Sequence, residues 1–126
     1  MTKCTAPEPR YTVNANNQLG GTGISYDSDG NNTADTVNTY TYDAENRIES
    51  ADVGGTYYCY IYDGNGMRVA KATASSSACS SLTVYELYWR AVSGDTIAVS
   101  DGSGSTTNSS YHEYIFFAGR RVARSD

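Results

Sequence analysis

The dipeptide Tyr-Asp occurs three times, at Tyr26-Asp27, Tyr42-Asp43 and Tyr62-Asp63, with spacings of 16 and 20 residues. A recurring motif constrains a chain strongly, because each copy must fold alike and pack against its neighbours. Aligned on Tyr, the copies read Tyr-Asp-Ser-Asp-Gly-Asn (26–31), Tyr-Asp-Ala-Glu-Asn-Arg (42–47) and Tyr-Asp-Gly-Asn-Gly-Met (62–67). The fourth residue after Tyr is Gly30, Asn46 or Gly66, the residue types that best tolerate positive φ. The motif therefore predicts a hairpin loop. Tyr ends a strand, Asp accepts backbone N–H bonds as an Asx-turn, and Gly or Asn supplies the left-handed residue. The chain then returns as the next strand, as in 47–50 and 67–71.

Alternation supports strands on either side of these loops. In 37–42, Asn38, Tyr40 and Tyr42 share one face. In 56–62, Tyr58, Tyr60 and Tyr62 share a face, and Tyr57, Cys59 and Ile61 take the other. Tyr rings on neighbouring strands are expected to stack across them. Further strands are expected near 83–90, 95–100, 110–117 and 120–124, with Tyr88 and Tyr114 ending comparable units. The Ser/Thr-rich stretches 74–81 and 103–110 read as flexible loops. No helical period persists over 11 residues.

Composition agrees. The chain holds 12 Tyr but only 2 Phe, 2 Met and 1 Trp, and its apolar share is 39%. Buried Tyr needs hydroxyl partners, so such a chain favours thin, half-wet layers over a dry globular centre. The fold class expected is all-β: an antiparallel meander of eight to ten short hairpin strands in one curved, twisted sheet, a single segment over 1–126. One face would carry Tyr and aliphatics and the other would be polar. Residues 1–10 read as irregular.

The stretches 26–33, 39–48 and 60–69, together with the closing 114–123 (Tyr-Ile-Phe-Phe-Ala-Gly-Arg-Arg-Val-Ala), resemble the RHS or YD-repeat family. In that family the repeats build a β-sheet strip that spirals into a hollow shell, as in bacterial polymorphic toxins and cell-surface proteins. The resemblance implies a wall segment of a longer secreted or cell-surface protein, with no chemistry of its own. Its partners would be the rest of the shell, or other copies joined through open sheet edges. The Asp-Pro-bearing cleavage motif of the family is not found, both prolines being Pro7 and Pro9. The isolated chain is expected to be marginally stable and self-associating.

Other chemistry has weaker support. A formal charge of −5 disfavours nucleic acid. No apolar run reaches membrane-spanning length, and the first residues lack a signal peptide's apolar stretch. His112 is the one histidine and reads as a strand-surface residue, so no catalytic residue is assigned. Gly20-Gly21-Thr22-Gly23-Ile24 lacks the Lys-Ser/Thr of a P-loop and reads as an ordinary loop. Cys4, Cys59 and Cys79 form no zinc set. A Cys59–Cys79 disulfide would pin the 74–81 loop to the sheet, leaving Cys4 free. Asp27, Asp29, Asn31 and Asp35 are spaced like the start of a calcium loop, although the position for a bidentate Glu holds Asn38. Tyr58 and Tyr60 could stack a sugar, which makes a carbohydrate-binding module the alternative function. No cofactor is expected.

Overall fold

The computed structural model describes residues 12–125. Cys4 therefore lies outside the described residues, as does the stretch 1–10 read as irregular. Every regular element among the described residues is a strand. These are β1 (Thr12–Val13), β2 (Leu19–Gly20), β3 (Ile24–Tyr26), β4 (Asn32–Asp35), β5 (Asn38–Tyr42) and β6 (Ile48–Val53). They continue as β7 (Thr56–Tyr62), β8 (Arg68–Ala74), β9 (Thr83–Arg90), β10 (Thr96–Asp101), β11 (His112–Phe117) and β12 (Arg120–Ser125). Strands β3 to β12 form one ten-stranded antiparallel sheet in strict chain order, and β1 and β2 form a separate pair. The all-β antiparallel meander expected from the motif is what the chain adopts. The loop of the β1–β2 pair carries no Tyr-Asp, so the motif does not announce it.

Cross-strand register fixes the two faces, since directly paired residues point the same way. Tyr40 pairs with Ala51, Ala51 with Tyr58, and Tyr58 with Thr73. Thr41, Ser50, Cys59 and Ala72 form the row on the opposite face. Ala70 and Leu87 pair on that second face, as do Leu87 and Ser100, and Trp89 and Ala98.

Here the expected division of faces is corrected. The dry face is the one without the Tyr ladder, and it is built of small residues. Ser50, Cys59, Ala70, Ala72, Ala98 and Ser100 are buried on it, whereas the Tyr face buries Ala51 and Val99. Small side chains there let two loops lie close against the sheet. The β8–β9 loop (75–82) is tied down by a Cys59–Cys79 disulfide. The β10–β11 loop (102–111) crosses β9 so tightly that a Cβ on Gly102 would sit 1.8 Å from the Val84 carbonyl oxygen. A Cβ on Gly104 would touch both Leu87 and Trp89, and Trp89 Nε1 donates to Ser100 Oγ at 3.0 Å. The two Ser/Thr-rich segments expected as loops thus lie against the sheet at Cys79 and at Gly102 and Gly104, and Ala74 belongs to β8. Their polar sequences mask this placement because they pack through backbone and a sulfur, not through apolar side chains.

Candidate functional site

Each Tyr-Asp copy folds into the same six-residue loop. Numbering Tyr as position 0, the Asp N–H at +1 donates to the carbonyl at +5, and the N–H at +4 donates to the Asp carbonyl. These distances are 3.0 and 3.3 Å at Asp27, 2.9 and 3.0 Å at Asp43, and 2.9 and 3.0 Å at Asp63. The Asp Oδ1 accepts the N–H groups at +3 and +5 in all three. Gly30, Asn46 and Gly66, at +4, have φ of 91°, 59° and 77°. Position 0 pairs with +6, and the residue at +7 (Thr33, Glu49, Val69) bulges. One loop satisfies its own backbone and sets the twist of the next strand.

Two further loops share this backbone. Around Asn14, Asn14 N–H donates to Gln18 O and Asn17 N–H to Asn14 O, and Asn14 Oδ1 accepts from Asn16 and Gln18. Around Ala91, the N–H groups of Ala91 and Gly94 donate to Asp95 and Ala91 carbonyls, both at 2.9 Å. Arg90 pairs with Thr96, and Ile97 bulges as the +7 residue. The described residues therefore hold five units, starting at Val13, Tyr26, Tyr42, Tyr62 and Arg90. The expected unit end at Tyr88 is corrected to Arg90. The sequence signals for these two units are the +4 residues Asn17 (φ 60°) and Gly94 (φ 89°) and, in the first, Asn14 at +1 in place of Asp.

Consecutive units are joined in two ways. First, the position-0 side chain reaches the +6 carbonyl of the preceding unit. Tyr42 hydroxyl donates to Asn32 O and Tyr62 hydroxyl to Ile48 O, each at 2.9 Å. In the last unit Arg90 replaces Tyr, and its Nη2 donates to Arg68 O at 2.8 Å. Second, the +5 side chain lies over the +4 residue of the following unit. Asn31 Nδ2 bonds Asn46 Oδ1 at 2.9 Å, Arg47 lies against Gly66, Met67 against Gly94, and Gln18 against Gly30. The joint between the first two units lacks the first link: Tyr26 hydroxyl makes no hydrogen bond among the described residues. A cleft of about 780 Å³ opens there between Asn16–Leu19 and Tyr26–Gly30.

The Tyr face is tiled by cations rather than by stacked rings, which corrects the expected cross-strand stacking. Arg47 lies 4.5 Å from the Tyr62 centroid, Lys71 Nζ 4.4 Å from Tyr58, and Arg68 5.2 and 5.3 Å from Tyr60 and Tyr88. The direct ring pair is Tyr58–Tyr85, edge-on at 6.1 Å. Strand β8 runs between the Tyr-bearing β7 and β9, so its Arg68 and Lys71 fill the gap between rings. Lys71 also lies 5.9 Å from Tyr60. A sugar on Tyr58 and Tyr60 would compete with that ammonium.

The carboxylates of the loops serve the backbone. Asn31, through its side-chain amide, lowers the Asp27 carboxyl below its usual range, as the Arg47 N–H does for Asp43. Asp35 sits at the far end of β4, where it accepts the Tyr40 hydroxyl at 2.6 Å and Asn38 groups. Those bonds, Tyr40 first, hold it at about 2. The structure does not bring the four calcium candidates together. Asp27 Oδ2 accepts the Asn31 amide at 3.0 Å, so Asn31 turns a donor inward, and Asp35 is a strand length away. Among the described residues no three His, Cys, Asp or Glu converge. His112 lies on β11 opposite Val99. The 20–24 segment closes a simple turn, with Ile24 N–H donating to Gly21 O.

No protein-family model matches the sequence, and no curated protein matches it either.

Proposed function

We propose that the chain is a non-catalytic structural segment: a panel in the wall of a large, secreted or cell-surface protein of the YD-repeat type. The observation that carries this reading is the relation between neighbouring units. Each +5 side chain covers the next +4 residue, from Gln18 over Gly30 to Met67 over Gly94. Such a joint has no terminal partner of its own and propagates for as long as units are added. It makes a strip whose purpose is shape. Most of the units' polar loop atoms bond backbone or neighbouring units, which supports a structural role.

The partners of such a panel are further units of the same kind, and its export follows from the longer protein that carries it. Sequencing the DNA on both sides of the coding region tests this. The reading expects more Tyr-Asp units and an export signal upstream in the same frame, and a shell-closing core downstream. Stop codons bracketing these 126 residues, with the short product accumulating as such, would overturn it.

A further inference from the structure

The two loops that lie on the dry face are held there by different means. The 102–111 loop is held by fit. A Cβ on Gly102 would meet the Val84 carbonyl oxygen, Gly104 lies beside Leu87 and Trp89, and Asp101 accepts the Ser103 N–H and the Asn108 amide. The 75–82 loop is held covalently. It reaches back from β8 to β7 through the Cys59–Cys79 disulfide, and Cys79 Sγ lies 3.7 Å from the Glu49 carbonyl oxygen of β6. Among the described residues, no other group of 75–81 bonds β6 or β7. Ser75, Ser77, Ala78 and Ser80 are exposed, so no apolar anchor stands in for the sulfur.

The tie also holds backbone that residues with a side chain rarely adopt. Cys79 has φ 51° and Ser81 φ 56°, both in the left-handed region. Once the bond is gone, nothing covalent keeps either residue there. The two sulfurs differ in access. Cys79 is half-buried and Cys59 is 1% exposed, so Cys79 Sγ is the one that an incoming thiolate reaches.

We propose that the 75–82 loop is a redox-operated cover over β6 and β7, closed while Cys59 and Cys79 are bonded and lifted when a dithiol reduces them. One thiolate of the reductant attacks Cys79 Sγ, forms a mixed disulfide and expels Cys59 as a thiolate, which takes up a proton. The reductant's second thiolate then attacks its own sulfur in the mixed disulfide. That closes the reductant into a disulfide and releases Cys79, which is protonated in turn. Two electrons pass from the dithiol to the chain. The Cys79 thiol offers the Glu49 carbonyl only a weak S–H bond, no substitute for the covalent tie. Lifting the loop bares Cys59 and its cross-strand partner Ser50, both 1% exposed with the loop down. The cover stands whatever the strip is for, and its use rests on the wall reading: an exported panel is closed in oxidising surroundings and loosens on entering a reducing compartment.

Hydrogen exchange on the unaltered chain, before and after excess dithiothreitol without denaturant, tests the proposal. Alkylation with peptide mapping shows whether Cys59 and Cys79 have become thiols. After reduction the 75–82 amides should exchange about tenfold faster or more, among them the Cys79 N–H that donates to Ser76 O. The Gly104 N–H, which donates to Asp101 O, and the β7 amides should keep their protection. Cys79→Ser should show the reduced pattern without reductant and no response to it. Three outcomes would each overturn the cover: both thiols free with 75–82 still protected, the sheet or the 102–111 loop opening together with 75–82, or a bond that persists for as long as the chain is folded. None of these bears on the sequencing of the flanking DNA, by which the wall reading stands or falls.

Discussion

The two faces of the sheet are held in different ways. On one, Ser50, Cys59, Ala70, Ala72, Ala98 and Ser100 lie buried beneath two loops. On the other, the ammonium of Lys71 and the guanidinium groups of Arg47 and Arg68 lie over tyrosine rings that keep partial contact with water. The neighbours Lys71 and Ala72 belong to opposite faces: Ala72 is fully buried, while Lys71 bridges Tyr58, Tyr60 and Tyr85. A chain with few large aliphatics can thus stabilise a single sheet without a thick core. It covers one side with its own backbone and tiles the other with amphipathic rings. The covered face depends on close approach, so it should be brittle. The tiled face depends on many weak contacts, so it should be forgiving.

The largest expected effect comes from the covered face. Cys59→Ala removes the disulfide that ties down the β8–β9 loop, its two cysteines lying 20 residues apart. It should cost about 3 kcal/mol, read as a lower urea midpoint that reductant reproduces in the unaltered chain. Gly102→Ala drives a methyl into the Val84 carbonyl and should cost about 2 kcal/mol, read in the same way. Lys71→Met, on the tiled face, should cost under about 1 kcal/mol. If Lys71→Met were as damaging as Gly102→Ala, the contrast between the faces would fail.

Smaller effects probe the joints. Tyr62→Phe removes the hydroxyl that bonds Ile48 O and should cost about 1 kcal/mol in thermal or urea melts. Acid pH gives a finer reading. Folding lowers the Asp35 carboxyl to about 2, so its contribution is fully present above the ordinary Asp value near 3.8 and fades as pH falls towards 2. Tyr40→Phe should move the Asp35 carboxyl back up towards the ordinary value, as followed by NMR titration. A titration unchanged by that substitution would remove Tyr40 as the cause.

Much of this was legible in the sequence, and the omissions share one cause. The three Tyr-Asp loops, the side-chain alternation of 56–62 and the meander follow from local patterns that each residue sets for itself. The units at Val13 and Arg90 were not legible, because the loop backbone needs a left-handed +4 residue more than it needs Tyr or Asp. Arg90 reaches Arg68 O with a guanidinium where other units use a phenol. The destination of the 75–82 and 102–111 loops was also hidden. Gly102 is required by the backbone of a strand 18 residues earlier, at Val84, and nothing beside it in sequence announces that contact.

The account's central claim is that five loops share one backbone geometry, whatever their side chains. Native-state hydrogen exchange on the amides at +1 and +4 of each unit tests it most directly. The account predicts that Ala91 and Gly94 exchange as slowly as Asp63 and Gly66, since each pair donates to the same two carbonyl positions. If Ala91 and Gly94 exchanged at the rate of an unbonded loop while Asp63 and Gly66 stayed protected, the Arg90 unit would not exist as a unit, and the strip would end at β8.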